Sequence, residues 1–337
     1  MPSKPERKMT MAKKVGRTIL TLIISLVLVF FIVKAMPGDP VQTLTQQYMT
    51  TDKLPYEQAY ERAKVALNYD PEVPVMEQFL TYINQLLHGD MGQSMSYKDS
   101  VVNIVLGALP WTLLVCSISL LLSFIVGNIL GLFIAWKRSR VLDGIMTGYQ
   151  AIFGSIPDYI VAYLLIAIFA IGLGWFPARG AYDSSMTPGW NLAFILDVLY
   201  HAALPVLCYF LTTVASWVMG MKAICVGLLG EDYMNYARVR GLSKRRILFT
   251  YLGRNAMLPQ ITSLAITFGL LFGGSPVIEN LFVYPGVGYY LNSAISRRDY
   301  PLMQGMFLMI IIMVLISGLV ADALNKRMNP RLREKQR

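Results

Sequence analysis

Very little in this chain could hold a metal ion or staple a fold. Its 337 residues include two histidines and three scattered cysteines, Cys116, Cys208 and Cys225. No Cys-x-x-Cys pair occurs, so neither a zinc site nor a disulfide framework can be assembled from them. Charge is scarce too: 15% of residues are Asp, Glu, Lys or Arg against 55% hydrophobic. With a mean hydropathy of +0.49, that balance excludes an ordinary soluble domain. No G-x-x-x-x-G-K-[ST] loop is present, so the chain does not carry its own phosphate cradle of that type. No nucleophile stands beside a base, and His88 and His201 read as structural. Tandem repeats, low-complexity tracts and flexible linkers are missing as well.

What is there is a set of long apolar runs. A bilayer core takes about 20 residues per helix, and scanning on that length gives six spans near 16–36, 101–136, 144–174, 195–222, 255–283 and 302–325. The expected fold is therefore an all-α, six-span membrane protein. The net charge of +10 would suggest nucleic acid in a soluble protein. Here 22 of the 30 basic residues cluster before the first span, after the second, between the fourth and fifth, and after the sixth. By the positive-inside rule both termini and the 223–254 loop face the cytoplasm, and no nucleic-acid partner is expected. A basic stretch before an apolar run also suits a cleaved signal peptide, but the run is long and Val33-Lys34-Ala35 is a poor cleavage site.

These spans divide the chain into a cytoplasmic segment (1–15), a first membrane helix (16–36), an outer segment (37–100), a five-helix core (101–325) holding the 223–254 loop, and a basic tail (326–337). The outer segment carries nine acids against four bases and a helical apolar pattern at Met76, Phe79, Leu80, Ile83 and Leu87, so we expect a small helical cap. The 223–254 loop reads as two short helices broken at Gly241, where a glycine permits a sharp turn, with Ser243 able to cap the second. Tyr233, Tyr236, Ala237 and Val239 are apolar or aromatic in a segment that otherwise seeks water. That suits docking into a partner's groove and equally a basic loop lying on anionic headgroups.

Within the spans, Asp158 stands out, since a carboxylate at membrane depth marks a water-filled pathway or a paired charge. It either faces a translocation cavity or satisfies backbone and partner groups around Pro157. Ser263, Thr267, Gly273 and Gly274 give the fifth span a small-residue face, for close packing or for lining a path. Glu279 lies at the outer end of that span, as a pathway group or with Arg297, Arg298 and Asp299 as a polar outer mouth; a solvated loop is the alternative. Ionisable groups are too few for a proton relay, which weakens a proton-coupled carrier or channel as the competing class.

Several motifs in order carry a resemblance: Pro37-Gly38-Asp39-Pro40, Gly89-Asp90-Met91-Gly92-Gln93-Ser94 and Leu109-Pro110-Trp111-Thr112; then Glu231, Tyr236-Ala237-Arg238-Val239-Arg240-Gly241-Leu242, Arg254-Asn255-Ala256 and Leu258-Pro259; then Glu279-Asn280-Leu281-Phe282, Pro285-Gly286-Val287-Gly288 and Arg298-Asp299-Tyr300-Pro301. Together they resemble the permease subunit of binding-protein-dependent ABC importers, in the dipeptide/oligopeptide/nickel branch. The resemblance implies a type I importer fold in a bacterial or archaeal inner membrane, and a non-enzymatic subunit without cofactors. It implies a second homologous permease, two ATP-binding subunits carrying ATP and Mg, an extracytoplasmic solute-binding protein, and surrounding lipid. It assigns Glu231, Tyr233, Tyr236, Ala237, Arg238, Gly241 and Leu242 to coupling with the ATPase. Peptides are the expected cargo, ahead of oligosaccharides; nickel chelates come last because no His-rich ligation is present. Asn329-Pro330-Arg331 departs from the family's usual Asp-Pro-Arg. Tyr236 and Val239 replace a common threonine and alanine, which implies a bulkier elbow with a matching groove, and Asp158 replaces a small or aromatic residue.

Overall fold

The computed structural model describes residues 11–36, 40–67, 73–274 and 276–328. Most of the N-terminal segment and the basic tail, with Pro37-Gly38-Asp39 and Asn329-Pro330-Arg331, lie outside the described residues. Among those described no β-strand forms, and one antiparallel bridge joins Gln93 to Ser100. The helices are α1 (Met11–Ala35), α2 (Pro40–Thr51), α3 (Tyr56–Leu67), α4 (Val75–Leu87), α5 (Val101–Lys137), α6 (Arg140–Phe153), α7 (Asp158–Leu165), α8 (Leu192–Leu229), α9 (Asp232–Val239), α10 (Lys244–Arg246), α11 (Arg254–Gly274), α12 (Pro276–Leu281), α13 (Val287–Arg297) and α14 (Tyr300–Met328). Two stretches of wide helical turn, Ile166–Gly172 and Ile247–Gly253, continue α7 and lead into α11.

By length and composition, four helical stretches among the described residues can cross a bilayer: Val15–Ala35, α5, α8 and Tyr300–Leu324. The third expected span, drawn at 144–174 as one run, is two helices. α6 and the α7 stretch to Gly172 meet at 95° and make a fifth crossing if taken together. The cause is local: Gly154 ends α6 and Pro157 precedes α7, and a proline disfavours helical backbone in the residue before it. The fifth expected span, 255–283, divides into α11 and the short α12, with Pro259 inside α11.

Termini follow capping chemistry. Asn191 opens α8 by accepting the Phe194 N–H at 2.8 Å, as side-chain oxygens do at helix starts. α5 ends at Lys137, and Arg138 takes the left-handed conformation that closes many helices (φ 51°).

The chain clusters into two units. The first comprises residues up to Gly107 with Tyr290–Leu315. In it α2 and α3 enclose Val41, Leu44, Ala63 and Met95, with Tyr48 and Tyr60 alongside. α4 rests on α1 through Phe79 and Tyr82, whose rings lie 5.2 and 5.5 Å from that of Phe30.

The second unit comprises Ala108–Tyr289 with residues from Ile316 onward. It has two buried clusters. One joins α5, α7, α8 and α12 through Val115, Val161, Leu165, Leu204, Cys208, Tyr209, Ile278, Phe282 and Tyr284. The other gathers Leu132, Met221, Cys225, Met234, Ala237, Ile247, Leu248, Leu252 and Ala256. Between them α5 and α8 touch backbone to backbone. A Cβ on Gly131 would stand 2.4 Å from the Val218 carbonyl oxygen, and one on Gly127 2.4 Å from the Trp217 Cβ. Small residues permit such approach between membrane helices.

Candidate functional site

α9 is the projecting helix of the 223–254 loop, and its faces are sorted by burial. Met234 and Ala237, three residues apart, are buried with Met221, Cys225, Ile247 and Leu252. Tyr236 and Val239 point away, 70% and 86% exposed, and share their face with the exposed Asp232 and Arg240. Of the residues expected to mediate coupling, Ala237 is therefore an anchor, Tyr236 is available to a partner, Glu231 and Arg238 are exposed and Leu242 is half-buried. Tyr233 is also half-buried; burial pushes its hydroxyl above the ordinary range, against a smaller opposite pull from Asn255. Sequence reasoning missed Met234, although its i, i+3 spacing to Ala237 marks a shared helical face.

The turn after α9 has a definite construction. Gly241 sits at φ 69°, its N–H bonds the Arg238 carbonyl at 2.9 Å, and the Leu242 N–H bonds the Ala237 carbonyl at 3.3 Å. This pair of bonds is the Schellman arrangement, and Leu242 packing with Ala237 in one cluster supplies its usual apolar contact. Ser243 then accepts the Arg246 N–H at 3.4 Å to open α10. The result is a stiff elbow whose wide turn, Ile247–Gly253, is buried at Ile247, Leu248, Leu252 and Gly253 and runs directly into α11.

Glu279 is buried, not solvated. One carboxylate oxygen accepts the Thr112 hydroxyl at 2.7 Å; the other accepts the backbone N–H of Gly288 at 2.8 Å and of Tyr289 at 3.2 Å. The Val287 N–H donates to the Thr112 oxygen at 2.8 Å. Glu279 and Thr112 thus serve the first three N–H groups of α13, which have no partners inside their own helix. Thr112 was visible only as part of a motif.

Asp299, in the other unit, is also fully buried. Its carboxylate accepts the Ser94 hydroxyl at 2.6 Å, the Ser96 N–H at 2.9 Å and the Leu302 N–H at 3.2 Å, capping α14 while pinning the 94–96 turn. Two motifs some 200 positions apart are thus one structure. Arg298 is exposed with φ 56°, and exposed Arg297 lies 5.9 Å over the Tyr97 ring.

Asp158 begins α7 just beyond the bend and is exposed. Its side chain interacts with the Thr212 hydroxyl, and its carbonyl faces the Cys208 thiol at 3.4 Å. Ser263 is exposed and Thr267 half-buried, while Gly273 and Gly274 close α11. A pair absent from the expectations, Lys222 of α8 with Asp143 of α6, forms a hydrogen-bonded ion pair. No group of His, Cys, Asp and Glu able to hold a metal ion occurs among the described residues.

The chain is similar to known proteins along nearly its whole length. A family model described as "Binding-protein-dependent transport system inner membrane component" matches residues 127–334. The di/tripeptide transport system permease protein DppB of Pseudomonas aeruginosa (strain UCBPP-PA14) is 30% identical over 339 residues, covering 96% of this chain and 98% of that relative. The glutathione transport system permease protein GsiC of Escherichia coli (strain K12) is 31% identical, with coverages of 96% and 98%. The oligopeptide transport system permease protein AppB of Bacillus subtilis (strain 168) is 29% identical, with coverages of 94% and 98%.

Proposed function

Since the chain belongs to the family of binding-protein-dependent transport system inner membrane components, we propose that it is one of two homologous permeases in an ATP-driven importer of short peptides. It is a transport subunit without catalytic chemistry of its own; ATP and Mg belong to two partner ATPases. A solute-binding protein delivers the cargo. The carrying observation is the elbow: a helix fixed by Met234 and Ala237, ended by a left-handed glycine, and presenting Tyr236 and Val239 to solvent. An exposed aromatic on a rigid helix suits a protein groove.

In this reading the termini and the elbow are cytoplasmic and the 37–100 segment is outside, following the basic residues. ATP-driven closure of the ATPase pair displaces α9, and the buried wide turn after it passes that displacement to α11. The ATPase drives the change because nucleotide binds its two states with different affinity. Peptide cargo is supported by the relatives named for di/tripeptide, glutathione and oligopeptide transport.

The test is uptake in proteoliposomes holding this chain with its partner subunits, using labelled di- to pentapeptides and oligosaccharides. ATP-dependent peptide uptake is the expected result, and uptake of sugars alone overturns the cargo. Gly241→Val forces a β-branched residue into left-handed backbone, at roughly 1–2 kcal/mol of strain. Its neighbourhood is otherwise open, so the complex assembles and hydrolyses ATP but transports poorly. Wild-type uptake in that variant refutes the elbow's role.

A further inference from the structure

α4 carries more apolar surface than its own chain covers. At about 100° per residue, Phe79, Ile83 and Leu86 form one strip, and Met76, Leu80 and Leu87 form a second beside it. Glu77, Asn84 and His88 form a polar strip about 80° round from the second and about 150° from the first. The first strip is partly buried, and Phe79 meets the rings of Phe30 and Phe31 at 5.2 and 6.1 Å. The second strip is bare: Met76, Leu80 and Leu87 are 61%, 61% and 80% exposed. Glu77 is the only charged residue in the helix.

The height of the contact identifies what covers that strip. Phe30 and Phe31 lie four to five residues before the end of the Val15–Ala35 span, roughly 6–8 Å inside it at ~1.5 Å per residue. An interfacial helix buries its apolar face about 5–10 Å into the boundary between headgroups and acyl chains. The surface α4 rests on is itself bare and apolar: Phe31, stacked on Phe79, is exposed, as are Leu28 and Ile32.

We propose that α4 is an interfacial helix that lies in the plane of the bilayer surface against α1, with Met76, Leu80 and Leu87 immersed in lipid and Glu77, Asn84 and His88 in water. The membrane, not a protein partner, is the occupant of the bare strip. Lacking lysine and arginine, α4 holds to the bilayer through apolar area, and its seating is indifferent to anionic lipid. The helix thereby sets the height of α1, and of the segment around it, relative to the membrane surface.

The test is site-directed spin labelling of the full chain, co-assembled with its partner subunits in phosphatidylcholine nanodiscs. Single cysteines replace Met76, Leu80, Leu87, Glu77 and Asn84; the native cysteines are buried. Power saturation then compares access of oxygen, which enriches in lipid, with access of a nickel chelate confined to water. The expected oxygen-to-nickel ratio is several-fold higher at 76, 80 and 87 than at 77 and 84, unchanged by adding phosphatidylglycerol or by raising salt. Equal, water-like nickel access at all five positions overturns the proposal. So does low access to both reagents at 76, 80 and 87, which would mean that a protein surface covers the strip. Because all five positions are exposed, the labels leave the fold intact and each outcome is readable.

Discussion

Removing the Glu279 side chain should be among the most damaging single changes in this protein, and the geometry gives the size. The carboxylate holds the Thr112 hydroxyl and the N–H groups of Gly288 and Tyr289, while the Thr112 oxygen holds the Val287 N–H. In Glu279→Ala, Gly288 and Thr112 lose their acceptors and Tyr289 loses this one, all at a buried helix start. A buried donor left without its partner costs about 1–3 kcal/mol, so Gly288 and Thr112 together place the loss at roughly 2–6 kcal/mol. Glu279→Gln is milder. Its amide oxygen can take the two backbone N–H groups and its NH₂ can donate to Thr112, but the threonine proton must turn elsewhere. The attraction between a carboxylate and the helix start, up to ~2 kcal/mol when partly buried, is lost.

Gly286→Ala reaches the same bonds without touching either partner. Its Cβ would stand 2.3 Å from a Glu279 carboxylate oxygen and 2.5 Å from the Thr112 hydroxyl oxygen, so the pair must part. The assay is thermal unfolding of the purified chain in detergent, with membrane abundance alongside. The expected order of loss is Glu279→Ala above Glu279→Gln, with Thr112→Val plus Glu279→Ala costing less than the sum of the singles because they share a bond. A Glu279→Ala protein within about 0.5 kcal/mol of wild type, the range of ordinary surface changes, would refute the account.

Four other outcomes follow from the same kind of geometry. Met234→Ala, emptying a buried site in the elbow's anchor, should cost about 2–5 kcal/mol. Tyr236→Ala, on the exposed face, should leave unfolding unchanged but weaken ATPase co-purification; equal stability losses in the two variants would deny the division of faces. Gly131→Ala pushes a methyl against the Val218 carbonyl and should destabilise by about 1–3 kcal/mol through overpacking, measured by unfolding in detergent; a neutral result would mean that α5 and α8 part easily. In the 175–191 loop, the Ser185 N–H and hydroxyl hold the Asp183 carboxyl below its ordinary value. A depressed folded value means this turn is fully formed above the usual ~3.9 and is lost only as pH falls through the lower one. A midpoint at or above the ordinary value, read from the Asp183 carboxyl resonance, would contradict the bonding.

Much of this architecture is written in local pattern, and what was hidden is long-range. The apolar runs located α1, α5, α8 and α14 because length and hydropathy are properties of one segment. Gly241 and Ser243 marked the elbow because turn and cap chemistry act over a few residues. The bend between α6 and α7 was not read: Gly154 and Pro157 interrupt the helix, but hydropathy runs through them unbroken. Ser94 with Asp299, Thr112 with Glu279 and Lys222 with Asp143 were illegible as pairs, since nothing local records which distant hydroxyl or amine meets a carboxylate. The elbow's aromatic and apolar residues were grouped by composition alone; only the helix phase separates Ala237, with Met234, from Tyr236 and Val239.

That separation of local from long-range information bears on the acids. A carboxylate beside an apolar run invites a reading as a cargo contact because ionisable groups are costly in membranes. Asp143 is paired with Lys222, Glu279 opens α13, and Asp299 opens α14 while holding the 94–96 turn. Each is satisfied by amine, hydroxyl or N–H groups of this chain, so architecture alone accounts for its presence. Asp158 differs in degree: it stands at the first position of α7, where unpartnered N–H groups favour a negative charge, and it has Thr212 beside it, yet it is exposed. The bend at Gly154 and Pro157 is what makes such a position available, because an unbroken helix through residue 158 would have no free N–H groups there. A broken helix therefore supplies both the acid's local support and its exposure, and Asp158 is the one of these four acids that could serve architecture and still meet a solute.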